Sequence, residues 1–449
     1  MKYTKEINPA RLLITGYIGI ITIGALLLSL PFATTTGISP ADALFTATSA
    51  VCVTGLIIKD TATDFTVFGK LIILLLIQIG GLGYMTLSTS FFFFLGKKIS
   101  LRERMLFKES VNILSYDNLM RFAWRIFRIT IVVEIIGAIL FYFCFIKKFP
   151  TTVAAGQAIF HSVSAFCNAG FSTFSENLSL FRNSWAVPLI AGVLIISGGI
   201  GFIVISDVYS VVIKKAKRDL ALHSKIVLKT TIILILFGTI FIFLYEGPRS
   251  LAHYPLHLKI IHSFFQAITP RTAGFNTVNI SLFSPLTIIV IILFMFIGAS
   301  PGGTGGGVKT STFALLLIWV KELLLGRYRS DITTLKRRIP VEQAMRSFLL
   351  IFLSICLILI SFFLIMLINQ PKPFKLLFEI FSALGTVGLS LGSNINPTCN
   401  YVSEFSVLGK LLMILVMLIG RVGTLTLGSA LIKPHIPEFT YPEDSIIVG

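Results

Sequence analysis

Acidic side chains are scarce in this chain: 20 Asp and Glu stand among 449 residues, and charged residues of both signs amount to 13%. A soluble domain carries about 25% charge, so a water-exposed fold is excluded. Cysteine is also sparse, with 5 residues, an odd number without metal-ligand spacing; this excludes a disulfide framework and a zinc site. Cys144 and Cys356 lie in apolar runs, and Cys52 and Cys167 read as small buried thiols backing a loop. No nucleophile–base set is visible among the 6 histidines, and His253, His257 and His262, with no acids nearby, are expected to be solvated. Polar links such as 97–128 and 321–346 are too short for a nucleotide-binding domain. An enzyme is therefore not expected.

What the chain has in abundance is apolar sequence, 55% of its residues. Runs near the roughly 20 residues that cross a bilayer cover Leu12–Leu30, Leu71–Phe94, Ile126–Ile146, Trp185–Ile213, Ile226–Tyr245, Leu286–Ala299 resuming at Phe313–Val320, Ser347–Asn369 and Val407–Ile432. Eight spans are expected. The first run has span length and no small-residue cleavage site, so it reads as a retained helix. The net charge of +18 is concentrated at 2, 5, 11, 97–128, 214–229, 321–346 and 433, all on one side of an eight-span layout. The positive-inside rule then places both termini in the cytoplasm of a cell (plasma) membrane protein. Those basic loops face acidic membrane lipids, not nucleic acid.

A pattern repeats four times. Phe45, Phe160, Phe264 and Phe378 each precede a glycine by ten positions, and a large apolar residue follows the glycine: Gly55-Leu56, Gly170-Phe171, Gly274-Phe275 and Gly388-Leu389. The glycines stand 115, 104 and 114 residues apart, which divides the chain into repeats at 1–96, 97–213, 214–325 and 326–449. Ahead of each glycine lies a short apolar segment (Ala41–Ala50, Ala154–Phe166, Leu258–Thr269, Lys375–Leu384) that is too short to cross. Non-helical backbone at membrane depth survives only inside protein or along a water-filled cavity. The expected fold is an all-α polytopic membrane protein, with four pseudo-symmetric helix–re-entrant pore loop–helix repeats around a central ion pore.

The loop segments Val53-Thr54-Gly55, Asn168-Ala169-Gly170, Thr272-Ala273-Gly274 and Thr386-Val387-Gly388 carry no carboxylate. A calcium-type carboxylate ring is thus excluded, and backbone carbonyls are the expected ligands of a bare monovalent cation. Glycine supplies the unusual dihedrals that aim carbonyls inward, and the short helices turn the negative ends of their dipoles toward the membrane centre. The fourth loop is similar to the TVGY part of the potassium-channel filter, and potassium is the expected ion. With one glycine per loop where that filter has two, weaker discrimination against sodium is expected.

The sixth span is interrupted by Gly298, Ala299, Ser300, Pro301, Gly302, Gly303, Thr304, Gly305, Gly306, Gly307 and Lys309, a stretch that cannot remain an ordinary helix. The other repeats have only Gly80-Gly81-Leu82-Gly83, Gly198-Gly199-Ile200-Gly201 and Gly420-Arg421-Val422-Gly423 there. A loop just below the ring is expected to act as a gate. It is not a phosphate-binding loop, because Val308 stands where that pattern needs glycine. Arg421 at the matching depth costs about 2.5–3.5 kcal/mol on insertion scales. It is expected to anchor the gate through its carbonyls; a structural pair with Glu134 is the alternative.

Together these features resemble the Ktr/Trk/HKT superfamily of potassium transporters, most closely the bacterial Ktr membrane subunit. The resemblance rests on the glycines at 55, 170, 274 and 388, the break at 298–307 and the arginine at 421. It implies a homodimer on a cytosolic ring of nucleotide-binding regulatory subunits, and potassium uptake that depends on sodium in some members. The basic loops and the tail ending Ser445–Gly449 are where such a partner would be met. The rival function is a proton-coupled secondary cation carrier. Such carriers rest on inverted repeats and midplane carboxylates, whereas these repeats share one orientation and offer only Glu134 and Asp207 in spans.

Overall fold

A computed structural model describes residues 9–83, 86, 119–213, 219–327, 331–335 and 337–431. Most of the basic stretch 97–128, part of 214–229, the end of the Leu71–Phe94 run and the tail from 432 lie outside the described residues.

Each repeat opens with a long apolar helix: α1 (Pro9–Leu28), α4 (Leu119–Phe145), α8 (Leu222–Glu246) and α12 (Val341–Asn369), of which stretches of 19, 25, 25 and 29 residues are long and apolar enough to cross a bilayer. They present large apolar side chains outward, among them Leu26, Phe143, Leu244 and Leu367. Lipid, as apolar as these side chains, solvates that face without cost.

A short helix follows in each repeat: α2 (Pro40–Val51), α5 (Thr151–Phe166), α9 (Leu256–Ile268) and α13 (Pro373–Gly385). Their bounds lie within two residues of the short segments read from sequence at nearly every end. Phe45, Phe160 and Phe378 are buried, as are Leu56, Phe171, Phe275 and Leu389 behind the glycines. In the third repeat Phe264 is half-buried and Phe265 takes the buried place.

The second helices are α3 (Val67–Leu82), α6 (Ala186–Gly199), α10 (Pro285–Phe296) and α14 (Val407–Val422). Three of the four begin on a hydroxyl N-cap that accepts from the amide three positions on, Thr66 from Gly69, Ser284 from Thr287 and Ser406 from Gly409; ahead of α6, whose N-cap is Trp185, Ser184 accepts from Val187 at 3.4 Å. Such caps satisfy amides that a helix start otherwise leaves orphaned.

These second helices correct the sequence reading. The runs 185–213 and 407–432, expected to continue straight, are broken after α6 and α14, and the chain resumes as α7 (Phe202–Val208) and α15 (Thr424–Leu431). The α6–α7 bend is 97°. It falls at Gly201 (φ 96), with Gly83 (φ 76) and Gly423 (φ 97) in the equivalent places. Only glycine adopts these dihedrals cheaply. The third repeat exaggerates the same break, resuming as α11 (Thr310–Leu324) after a longer loop. The eight-span count is therefore not a count of eight straight helices: among the described residues four are long and apolar enough to cross unaided, and α6–α7 makes a fifth when taken together.

One β-hairpin, β1 (Asp331–Thr334) against β2 (Arg337–Pro340), departs from the all-helical expectation. Its buried Ile332 and Ile339 join Ala344 and pack on Ile318 and Trp319 of α11, anchoring the link between repeats three and four.

Candidate ion pathway: a glycine ring and the loop beneath it

At the end of each short helix the chain turns left-handed twice. Val53 (φ 56), Asn168 (φ 58), Thr272 (φ 73) and Thr386 (φ 50) each precede by two positions Gly55 (φ 84), Gly170 (φ 70), Gly274 (φ 73) and Gly388 (φ 87). A β-branched residue in this region is a costly exception, of order 1–3 kcal/mol. The short helices hold it there by taking up the loop amides. The amides of Thr54, Ala169 and Val387 each donate at 2.8 Å, to the carbonyls of Ser49, Ser164 and Ser382. In the third loop, which carries Pro270, the equivalent bond from Ala273 shifts one residue to Thr269, at 3.0 Å. Hydroxyls add further ties, with Ser164 Oγ donating to Phe171 O and Thr269 Oγ1 to Phe275 O, both at 2.7 Å.

Most of the loop amides are thus taken up, and the carbonyls are not. All twelve residues at 53–55, 168–170, 272–274 and 386–388 are buried. Among the described residues, none of their carbonyl oxygens accepts a hydrogen bond from the protein. Buried backbone carbonyls are nearly always paired, so twelve unpaired ones in matched positions stand out as a cluster of oxygens with free lone pairs.

The four loops close on one another in cyclic order. A Cβ built on Gly55 would run into Ala169 O, one on Gly170 into Ala273 O, one on Gly274 into Val387 O, and one on Gly388 into Thr54 O. Each approach is below 3.0 Å, closer than real Cβ atoms come. Loop one meets two, two meets three, three meets four, and four returns to one. Above the ring lies a cavity of about 680 Å³ whose lining includes all four glycines together with Ser172, Asn276 and Ser390.

Beneath the ring lies the glycine-rich loop. Gly306 N donates to Thr386 Oγ1 at 2.9 Å, and Gly305 packs so closely on Thr272 that no side chain fits between them. Asn168 and Thr272 meet at 3.0 Å; with its amide oxygen accepting from Thr272 Oγ1, Asn168 can also donate to Ile195 O and Ala165 O. The loop is bonded to the broken helices around it. Ser300 N reaches Gly199 O (2.9 Å), Thr304 N reaches Gly198 O (3.1 Å), Phe202 N reaches Gly302 O (2.9 Å) and Gly307 N reaches Gly420 O (3.2 Å). Gly298 N closes the loop's own base on Val308 O at 2.8 Å, and Thr310 N reaches Ala299 O at 3.3 Å. Pro301 and Gly303 sit against Gly201 and Gly199.

Arg421, at the end of α14, donates to Thr304 O in this loop and to Gly80 O and Gly81 O of repeat one. It makes no ion pair with Glu134 among the described residues; Glu134 instead accepts from Gln78 Nε2 at 3.2 Å. Lys309 Nζ donates to Gly305 O at 2.7 Å. One expectation fails nearby. His262 is fully buried, between Thr277 Oγ1 (3.1 Å) and Arg182 O (2.9 Å), because α9 turns that face into the protein; His253 and His257 are exposed. Arg271 stands in the place that Cys52 and Cys167 hold in repeats one and two. It is buried, with Nη2 3.4 Å from Thr231 Oγ1.

Matched loops delivered by short helices to one ring, inside a lipid-facing shell, define a pore-loop membrane protein. The comparisons make the class specific. A family model described as TrkH, cation transport protein, matches residues 16–435, and the chain belongs to that family. It is 37% identical to the Ktr system potassium uptake protein B of Bacillus subtilis, over 98% of this chain and 97% of the relative. It is 35% identical to the potassium/sodium uptake protein NtpJ of Enterococcus hirae, over 99% and 98%. The crystal structure of the potassium transporter TrkH from Vibrio parahaemolyticus matches with a TM-score of 0.74 at 18% identity, covering 96% of this chain and 86% of that one, a likeness of fold.

Proposed function

We propose that this protein takes up potassium across the plasma membrane, through the glycine ring as a carbonyl selectivity filter and past the loop 298–309 as a gate. The observation that carries the reading is the closed ring of twelve buried carbonyls that the protein itself leaves unpaired. A cation entering hydrocarbon faces tens of kcal/mol of lost hydration, and carbonyl oxygens replace that water without fixed charge. The names of the two relatives, potassium uptake protein B and the potassium/sodium uptake protein NtpJ, support the same ion and keep sodium as a second cation.

The membrane potential is the proposed drive, worth about 2.3 kcal/mol per charge at 100 mV, hence roughly 50-fold accumulation. The proposed assembly is a homodimer on a cytosolic nucleotide-binding ring, with both termini cytoplasmic and the repeat units divided at 96, 213 and 325. A proton-coupled carrier is less well supported, since Glu134 is engaged by Gln78 and lies outside the ring. The test is rubidium uptake and growth at low potassium in a bacterial strain stripped of its own potassium-uptake systems. Wild-type protein should restore both. Protein that reaches the membrane and restores neither would defeat the proposal.

A further inference from the structure

Three consecutive carbonyls of the gate loop are held by the protein's own cations. Arg421 takes Thr304 O. Lys309 Nζ lies 2.7 Å from Gly305 O and 3.4 Å from Gly306 O. The same two glycines touch the innermost residues of the ring, Gly305 against the Thr272 side chain and Gly306 N on Thr386 Oγ1 at 2.9 Å. An ion leaving the ring away from the cavity therefore meets these oxygens next.

The two cations differ in how they are held. Arg421 also grips Gly80 O and Gly81 O of repeat one, so its planar fork is fixed across the molecule. Among the described residues Lys309 binds only carbonyls three and four residues before it in its own loop, through a half-buried flexible stem. Its ammonium is a compact point charge, close in size to a potassium ion and with the same liking for carbonyl oxygen.

We propose that the carbonyls of Gly305 and Gly306 form an alkali-cation subsite directly below the ring, which the Lys309 ammonium fills as a tethered surrogate ion. A permeating potassium ion takes the subsite as the ammonium swings off, so one unit charge replaces another and the local charge is conserved. Arg421 keeps its hold on Thr304 throughout. The loop then impedes flow by occupying the ion's own ligands, as well as by its bulk. This inference rests on the potassium reading above.

The test compares rubidium flux into liposomes carrying full-length wild type or Lys309→Ala, with and without ethylammonium on both sides. The expected result is a rise of about tenfold in Lys309→Ala, the size of one charge-assisted hydrogen bond, reversed by ethylammonium at concentrations that leave wild type unaffected. If Lys309→Ala does not reach the membrane folded, Lys309→Met carries the same comparison. Flux equal to or below wild type overturns the inference. So does raised flux that ethylammonium leaves unchanged, because a loop merely loosened by the loss of its lysine would not be re-blocked by a free ammonium. Failure of wild type to restore rubidium uptake in cells would instead strike the potassium reading itself.

Discussion

Serine placed at Gly274 puts its Cβ against Val387 O of the neighbouring loop, and serine at Gly388 puts it against Thr54 O. In both cases backbone must give way, because the obstacle is a carbonyl held by its own peptide and not the end of a flexible side chain. Positive φ adds about 1–2 kcal/mol of strain, but ion-free and ion-occupied protein bear that strain alike. What reads on affinity is the displaced oxygen. Losing one ligand to a charge is worth about 1.5–3 kcal/mol, so the apparent KM for rubidium should rise about 10- to 150-fold. The ring also sets an order. Gly170 has the loosest approach, 2.8 Å to Ala273 O, so Gly170→Ser should lose least, and the equivalents at 55, 274 and 388 should lose more. Because each glycine presses on the next loop, the neighbouring pair Gly274→Ser with Gly388→Ser should be non-additive, unlike the opposite pair Gly55→Ser with Gly274→Ser. The assay is the concentration dependence of initial rubidium uptake in cells. Unchanged affinity in all four variants, or the largest loss at Gly170, would refute the ring.

Arg421→Ala frees Thr304 O from the loop's main anchor to repeat one. It should raise rubidium flux in cells that lack a regulatory partner, as should deletion of 302–307, and the two combined should gain little over either; a fall in flux with protein present in the membrane would contradict this. Glu246→Ala removes the acceptor of four bonds, from Ser284 N, Ser284 Oγ, Thr287 Oγ1 and Ser250 Oγ, where α8 meets the start of α10. The cost should be about 3 kcal/mol, seen as a lower thermal midpoint in detergent, and an unchanged midpoint would show the cluster to be idle. At the outer loop, burial pushes the Glu404 carboxyl up, but hydrogen bonds from Ser393 Oγ and from the Asn394 amide outweigh it and hold the carboxyl below its usual range. The loop's stability from this group is therefore present above the ordinary glutamate value and lost as pH falls through the lowered one. Amide exchange over 393–399 should quicken in that acid window in wild type and be already fast at neutral pH in Glu404→Gln.

The helical pattern, the four loops and the break at 298–307 were legible because each is a local demand of the chain. A segment too short to cross must re-enter, and six glycines with a proline cannot stay helical. The bends at Gly201 and Gly423 were missed although their glycines were in view. A glycine is tolerated in many helices, so its presence alone does not mark a bend; Gly201 turns where it packs against Pro301 O of the glycine-rich loop. His262 was misread for a similar reason: nothing in its neighbouring sequence says that Thr277 and the Arg182 carbonyl close over it.

What the amino-acid order determined on its own is that the four short segments and the stretch 298–307 had to depart from a spanning helix, since segment length and a dense run of glycine with a proline are local properties of the chain. Which oxygens those departures brought together was decided by the tertiary structure. Arg421 chose Thr304 and Gly80, which lie 117 and 341 positions away, over Glu134. Gly388 closed the ring on Thr54 at the opposite end of the chain. Cation and carbonyl meet across such separations only once the packed helices set their distance and angle, and no local preference encodes either.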